Sequence, residues 1–336
     1  MSAAPSGGGE LRADLVFEGG GVKGIALAGA YLELSARGYR PECVAGTSAG
    51  AITAALVAVG YSGAELEEIV LGQMHFPDFE DATLLDRLGV AGETAQFLRT
   101  RGIHSGKYFL GWMRERLAAK GITKFGHLRD PAASSAARSY RLQVIASDLT
   151  ARSMLVLPRD AAQLGLDPDE LEIAEAVRMS MSIPIFFKPM IAAGAPSGPA
   201  HVIVDGGLLS NYPIWLFDCP AGQPPQFPTF GMLLVAPGPT APLLAVAPAA
   251  AELPRVGGNV AFLKAIVETM MEAHDRLYVQ QADYARTIPI PTLGVTTTQF
   301  DISPAQTAAL FESGRSAAAA FLDGWNFERY IAQFRS

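Results

Sequence analysis

The hydrophobic pattern of this chain changes period repeatedly. Residues 13–18 form a short, mostly apolar run of strand length that stops at Gly19-Gly20-Gly21. From 24 to 36 the apolar positions Ile25, Leu27, Ala28, Leu32 and Leu34 fall at helical spacing, and Gly38 stands where a helix would stop. Residues 43–46 predict a second short strand and 49–59 a helix built of small residues. Strand, helix, strand, helix with short connections points to a layered α/β sheet whose strands run parallel.

The same pattern continues more loosely. Helices are predicted at 63–70, 107–119, 171–181, 260–282 and 305–322, and strands at 142–146, 153–157, 201–204 and 230–235. Residues 72–104 show no clear period. The segments 192–200, 220–228 and 237–254 are rich in Pro, Gly and Ala and read as loops. No repeat and no linker between domains stands out. The expectation is a flexible lead-in over 1–12 and one domain over 13–336 with a C-terminal helical extension.

Composition narrows the classes. The chain has 336 residues, 49% of them hydrophobic, and a formal net charge of −7. A large core is expected, and the acidic balance argues against a nucleic-acid partner. It also argues against broad electrostatic capture by anionic lipid, though not against a local basic patch. Cys43 and Cys219 lie too far apart in sequence for a metal spacing or a disulfide framework, so the plain expectation is cytoplasmic. The first residues lack the basic and apolar regions of a secretory signal. The most apolar stretch, 231–251, is interrupted by Pro237, Pro239, Pro242 and Pro248 and does not read as a membrane span.

The chemistry concentrates where the first elements join. Gly46-Thr47-Ser48-Ala49-Gly50 fits the G-x-S-x-G nucleophile elbow, placed after a strand and before a small-residue helix. The glycine loop before it can turn several backbone N–H groups toward one oxyanion. Each feature has a plainer reading. Thr47 or Ser48 could simply cap the following helix. Gly19-x-Gly21-x-x-Gly24 also satisfies a dinucleotide-binding pattern, but that wants an acidic residue at the end of the second strand, and Glu42 sits at its start. A Walker-type loop needs Ser or Thr after Lys23, and Gly24 stands there.

Three motifs in order, Gly19 to Gly24, Gly46 to Gly50 and Asp205-Gly206-Gly207, resemble the signatures of the patatin-like phospholipase family. Ala146-Ser147-Asp148-Leu149-Thr150, Met181-Ser182-Ile183-Pro184 and the run from Asp205 to Pro213 are similar too. The resemblance covers roughly residues 14–215 and thins in the tail. It implies a layered α/β/α fold around a central, mainly parallel sheet. It implies Ser48 as nucleophile and Asp205 as its partner in a Ser–Asp dyad. The backbone of Gly20 and Gly21 would form the oxyanion hole, and Lys23 would face a lipid phosphate. No cofactor and no metal are implied. The expected activity is lipid acyl hydrolysis of the phospholipase A or lysophospholipase type through an acyl-enzyme. Its substrate would be a phospholipid or lysophospholipid, met through peripheral membrane contact. A general carboxylesterase or acyltransferase would use the same residues, and a non-catalytic lipid-binding module is the alternative from another class.

Other residues compete for roles. Ser48, Asp205 and His274 reproduce the chain order of a Ser–Asp–His triad, but His274 falls inside a predicted helix and reads as a packed or capping residue. Asp148, in Ser-Asp-Leu-Thr, reads as an Asx-type turn. Lys23 stands near a helix start, the unfavourable end for a cation, which hints at an anionic ligand. Phe186 and Phe187 read as core before groove. The aromatic tail from Phe321 to Phe334 reads as docked on the body before lying in a lipid interface.

Overall fold

The computed structural model describes residues 11–74, 102–133, 135–194, 198–220, 222–236 and 280–335, with a few positions between 263 and 270. The predicted lead-in, His75, most of the helix predicted at 260–282 and His274 lie outside the described residues.

β1 (Leu11–Phe17) is buried continuously from Ala13 to Phe17. A strand buried on both faces belongs in the middle of a parallel sheet. It pairs in parallel with β2 (Tyr39–Thr47) on one side and β9 (Thr229–Val235) on the other. Between them in sequence come β3 (Gly102–His104), β4 (Leu142–Asp148), β5 (Ser153–Leu157), β6 (Ile185–Phe187), β7 (Met190–Ala192) and β8 (His201–Asp205), with β10 (Thr287–Pro291) after β9. The main sheet runs β10–β9–β1–β2–β4–β8–β7, with β5 also on β4, while β3 and β6 pair separately. The β10–β9–β1–β2–β4 half is parallel, and β5, β8 and β7 join antiparallel, so the central sheet is mostly parallel as expected. β10 closes one edge and carries Pro289 and Pro291, residues tolerated where a strand lacks an outer partner.

One edge of β4 is shared. β2 pairs with β4 up to Thr47↔Ile145, and β8 pairs with it from Asp205↔Ala146 onward. β5 occupies 144–148 on the opposite edge, so β2 and β8 lie on the same edge and meet end to end. The last residues of two strands running in opposite directions therefore become neighbours.

Among the described residues the α-helices with both ends described are α1 (Ile25–Ala36), α2 (Ala49–Ala58), α3 (Gly63–Glu68), α4 (Lys107–Ala119), α5 (Ile173–Ser180), α6 (Gln281–Tyr284), α7 (Pro304–Gly324) and α8 (Phe327–Phe334). Every residue of α2 except Ile52 is buried, which explains its run of alanines. One face of the sheet, with Leu15, Phe17, Val44, Val144 and Phe230, packs under α1, α2, α5 and α7. The other, with Val16, Ala45, Ile145 and Leu233, packs against Tyr212, Ile214, Leu216 and Phe217, partly in short 3-10 turns. The tail docks as expected: Phe321 and Trp325 sit 5.7 and 5.1 Å from the Phe230 ring, and Tyr330 continues the stack 5.5 Å from Trp325.

Most predicted elements are found within a few residues of their expected ends. β3, β6, β7 and β10 are not among the predicted strands, because runs of three to five residues, the last three beside or containing prolines, leave no readable period.

α1 and α7 cross on glycine. A Cβ on Gly29 would stand 1.9 Å from the Phe311 carbonyl oxygen, and one on Gly314 would stand 1.8 Å from that of Ala26. Gly111, in α4, has open space around it. Gly314→Ala should lower unfolding free energy by about 1–3 kcal/mol through overpacking. Gly111→Ala should raise it by roughly 0.5–1 kcal/mol through helix propensity. Urea titration of the two variants beside wild type checks the contrast.

Candidate active site

Ser48 lies between β2 and α2 with φ 53° and ψ −123°. A non-glycine residue there costs on the order of 1–3 kcal/mol and persists only where its surroundings hold it. The flanking glycines make the turn sterically allowed. A Cβ on Gly46 would meet the Gly50 carbonyl oxygen at 2.3 Å, and one on Gly50 would meet that of Phe17 at 2.2 Å. The Ser48 N–H donates to Ser180 Oγ at 2.8 Å, at the C-terminal end of α5. The serine is only 1% exposed, unlike the exposed elbow hydroxyl expected from the motif, because Ser180, the Asp205 segment and the glycine loop close around it.

Asp205 ends β8 and is wholly buried. Its N–H donates to the Ser182 carbonyl at 3.0 Å, and Oδ1 accepts the Gly207 N–H at 2.8 Å. Gly206 passes directly over β4, where a Cβ would be 2.3 Å from the Ile145 carbonyl oxygen. Burial pushes the Asp205 carboxyl up to about 7, with the Ser48 hydroxyl and the Gly207 N–H pulling it partly back. Ser48 is thus within electrostatic reach, yet among the described residues Oδ2 has no partner in full hydrogen-bond geometry. An unpartnered buried oxygen costs about 1–3 kcal/mol. Hydrogen bonds of this kind are commonly loose until substrate tightens them.

The end of α5 supports both residues. Ser180 holds the Ser48 N–H, and the Ser182 carbonyl holds that of Asp205. Ser182 is tied back to the buried Arg178, whose guanidinium donates to Ser182 Oγ and, at 3.0 Å each, to the Ser105 and Lys188 carbonyls.

The glycine loop is fixed from two remote segments. The Gly19 N–H donates to the Asn211 carbonyl at 3.0 Å, and Asn211 Nδ2 returns a bond to the Gly19 carbonyl at 3.0 Å. From the other side the Thr297 carbonyl accepts the Val22 N–H at 3.1 Å. Gly21 has φ +55°, and a Cβ there would lie 2.0 Å from that same carbonyl oxygen. No acceptor among the described residues takes the N–H of Gly20 or Gly21. A Cβ on Gly24 would meet Ala49 Cβ at 2.7 Å, so the loop and the elbow are in contact. Lys23 is half-buried beside Gly20. The Thr297 carbonyl beside Gly21 is a poor neighbour for a pyrophosphate, contrary to the dinucleotide pattern.

The other candidates are placed elsewhere. Asp148 Oδ1 accepts the N–H groups of Thr150 and Ala151, the expected Asx-type turn, and Oδ2 contacts His201 Nδ1 at 2.5 Å. His104 packs against Phe186, which stacks on Phe300 with centroids 5.0 Å apart. Phe187 lines an apolar cavity of about 490 Å³ together with Pro184, Val202, Val204, Leu263 and Val267. Val202 and Val204 alternate with Asp205 along β8, so the cavity lies on the face of that strand opposite the carboxyl. Sequence reasoning gave no role to Ser180, Arg178, Asn211 or Thr297. Asn211 had a signal, falling within the run from Asp205 to Pro213; Thr297 had none.

Among the described residues no group of His, Cys, Asp and Glu could hold a metal ion, and no helix is long and apolar enough to cross a membrane. Comparison with known proteins places the chain in a family. Residues 15–218 match the patatin-like phospholipase family. Uncharacterized protein YqhO of Bacillus subtilis (strain 168) is 38% identical over 322 residues, 94% of this chain and 99% of its own. Uncharacterized protein R571 of Acanthamoeba polyphaga mimivirus is 26% identical over 208 residues, 61% of each chain. VipD from Legionella pneumophila shares the fold at TM-score 0.52 and 19% identity, across 94% of this chain and 67% of VipD. The protein is a hydrolase built on a central, mostly parallel sheet. It belongs to the patatin-like phospholipase family, whose substrates are lipid acyl esters.

The raised carboxyl has a thermodynamic consequence. Between the usual carboxylate value of 3.8 and about 7, the folded protein binds more protons at Asp205 than the unfolded chain does. Stability from this site is therefore greatest at low pH, falls as pH rises through that window and levels off above it. Asp205→Asn removes the titration. Its Tm, measured against wild type by calorimetry, should gain more at pH 8 than at pH 4.5.

Proposed function

We propose that Ser48 and Asp205 are the catalytic dyad of a phospholipase A or lysophospholipase. The observation that carries this is a wholly buried carboxyl, raised to about 7, beside a serine held at positive φ. An ordinary aspartate is too weak a base for a hydroxyl, and burial supplies the missing basicity. Ser48 Oγ attacks the ester carbonyl as its proton passes to Asp205, for which the unpartnered Oδ2 is the available oxygen. The N–H groups of Gly20 and Gly21 receive the oxyanion. Collapse of the tetrahedral adduct expels the glycerol-side alcohol, protonated by Asp205. Water then attacks the acyl-serine with Asp205 again as base, and the second adduct collapses as that proton returns to Ser48 Oγ, releasing the fatty acid.

The apolar cavity, with its half-exposed rim at Leu149 and Leu263, suits peripheral contact with a lipid surface. We read Lys23, at the glycine loop, as the contact for the lipid phosphate. We also read 13–336 as one catalytic domain, since β9 and β10 complete the sheet that carries the site.

A fluorophosphonate probe tests the dyad. Wild type should label covalently, Ser48→Ala should not label at all, and Asp205→Asn should lose about 10²–10⁴-fold in labelling rate and in ester hydrolysis. Folded wild type that neither labels nor hydrolyses a phospholipid panel would overturn the assignment. The kcat/KM profile should rise with pH to a plateau, with its ascending limb near 7, because the base must be ionised. A flat profile from pH 5 to 9 would exclude Asp205 as that base.

A further inference from the structure

A second cavity, of about 520 Å³, lies at the end of the sheet opposite Ser48. It opens where β2 begins, at Arg40 to Cys43, and beneath the last turn of α2, at Ala58 to Gly60. The residues before β4 and the segment following α4 complete its wall. Arg12, Arg40, Arg129, Arg138 and Arg141 line it with His127, against only Glu42 and Asp130 as carboxylates. This cationic concavity belongs to a chain of net charge −7.

Several of these guanidiniums already have partners. Arg138 is bound to the buried Asp14, and Arg129 to Asp169 at 2.7 Å. Arg12 reaches Glu42 only at 3.5 Å, with both side chains well exposed. Arg141 differs. Its Nη2 donates to the Pro41 carbonyl at 3.1 Å, it forms no ion pair with a carboxylate among the described residues, and its Nε is buried without an acceptor. That Nε is sealed from the cavity, but a guanidinium with no carboxylate partner keeps its outer N–H groups for an anionic oxygen there. The C-terminal end of α2 accounts for some positive charge here through its dipole. It does not account for a concavity of this volume, which is in the range of small-molecule sites.

We propose that this cavity binds a soluble phosphate ester of about mononucleotide size, with Arg141 as principal contact and Arg40 on its lining. Planar guanidiniums recognise phosphate oxygens in paired hydrogen bonds, which a lone halide cannot accept. A soluble ligand is favoured over a lipid headgroup by position. The apolar cavity with its exposed Leu149 and Leu263 lies at the other end of the strands, as does Ser48. A bilayer engaged at the arginine cavity would face away from Ser48. The site is independent of the dyad, so Ser48→Ala should bind as wild type does.

Isothermal titration of the full chain with ATP and with pyrophosphate provides the test, with sedimentation on phosphatidic acid vesicles as a second arm. Saturable single-site binding is expected, weakened about tenfold or more in Arg141→Gln. Arg40→Gln, on an exposed side chain, should weaken it as well and stands in if Arg141→Gln fails to fold. Arg114→Gln, whose side chain pairs with Glu172 and Glu175 outside the cavity, should leave affinity unchanged. The proposal fails if neither probe binds saturably, or if all three variants bind alike. It fails equally if the arginine cavity draws the protein onto vesicles while the soluble probes do not bind.

Discussion

The handover between β2 and β8 along one edge of β4 is the constraint on which the site depends. Thr47 is the last residue of β2 to pair, and Asp205 is the first position at which β8 takes its place. Ser48 must leave the sheet where Asp205 arrives, and Gly206 must turn away over the Ile145 carbonyl. Because side chains alternate along a strand, a slip of one residue in either pairing would turn Asp205 to the opposite face. The register is therefore also the catalytic geometry.

This arrangement concentrates unfavourable features in a small volume. Ser48 sits at positive φ, Asp205 is charged only at the expense of its burial, and Oδ2 lacks a partner. Together these are worth several kcal/mol against folding, on the order of the net stability of many domains. The surrounding core holds them in place. α2 is buried on nearly every side, and the end of α5 supports both residues through Ser180 and Ser182. A site that is unfavourable for the fold but primed for proton transfer is the expected trade between stability and activity.

How much of this was legible in the sequence follows from where each contact originates. Gly46, Gly50, Gly206 and Gly21 were readable because close backbone approach excludes any side chain, and such positions stand out as motifs. The helices α1, α4 and α7 and the paired strands β4 and β5 carried periods long enough to recognise. Ser180 and Arg178 act through a helix end whose sequence shows only ordinary polar residues. Thr297 acts through its carbonyl, which every residue possesses, so no amino-acid pattern could reveal it. The burial of Ser48 was missed for the same reason: the motif specifies a turn, and its neighbours decide the turn's exposure.

The place of β9 has a consequence for how the chain acquires its structure. β1 is central, yet its partner on one side begins with Asp14↔Thr229, across most of the chain, and the closing contact of Thr297 with the glycine loop spans still more. During synthesis the N-terminal strand and its elbow emerge long before these neighbours exist. For that interval β1 presents an unpaired, apolar edge, which favours association with other chains over productive pairing. Contacts of such sequence separation also slow folding, because the loop must close before they form. A chain ending near 218 would hold every residue of the three recognisable motifs and still lack the strand that covers β1.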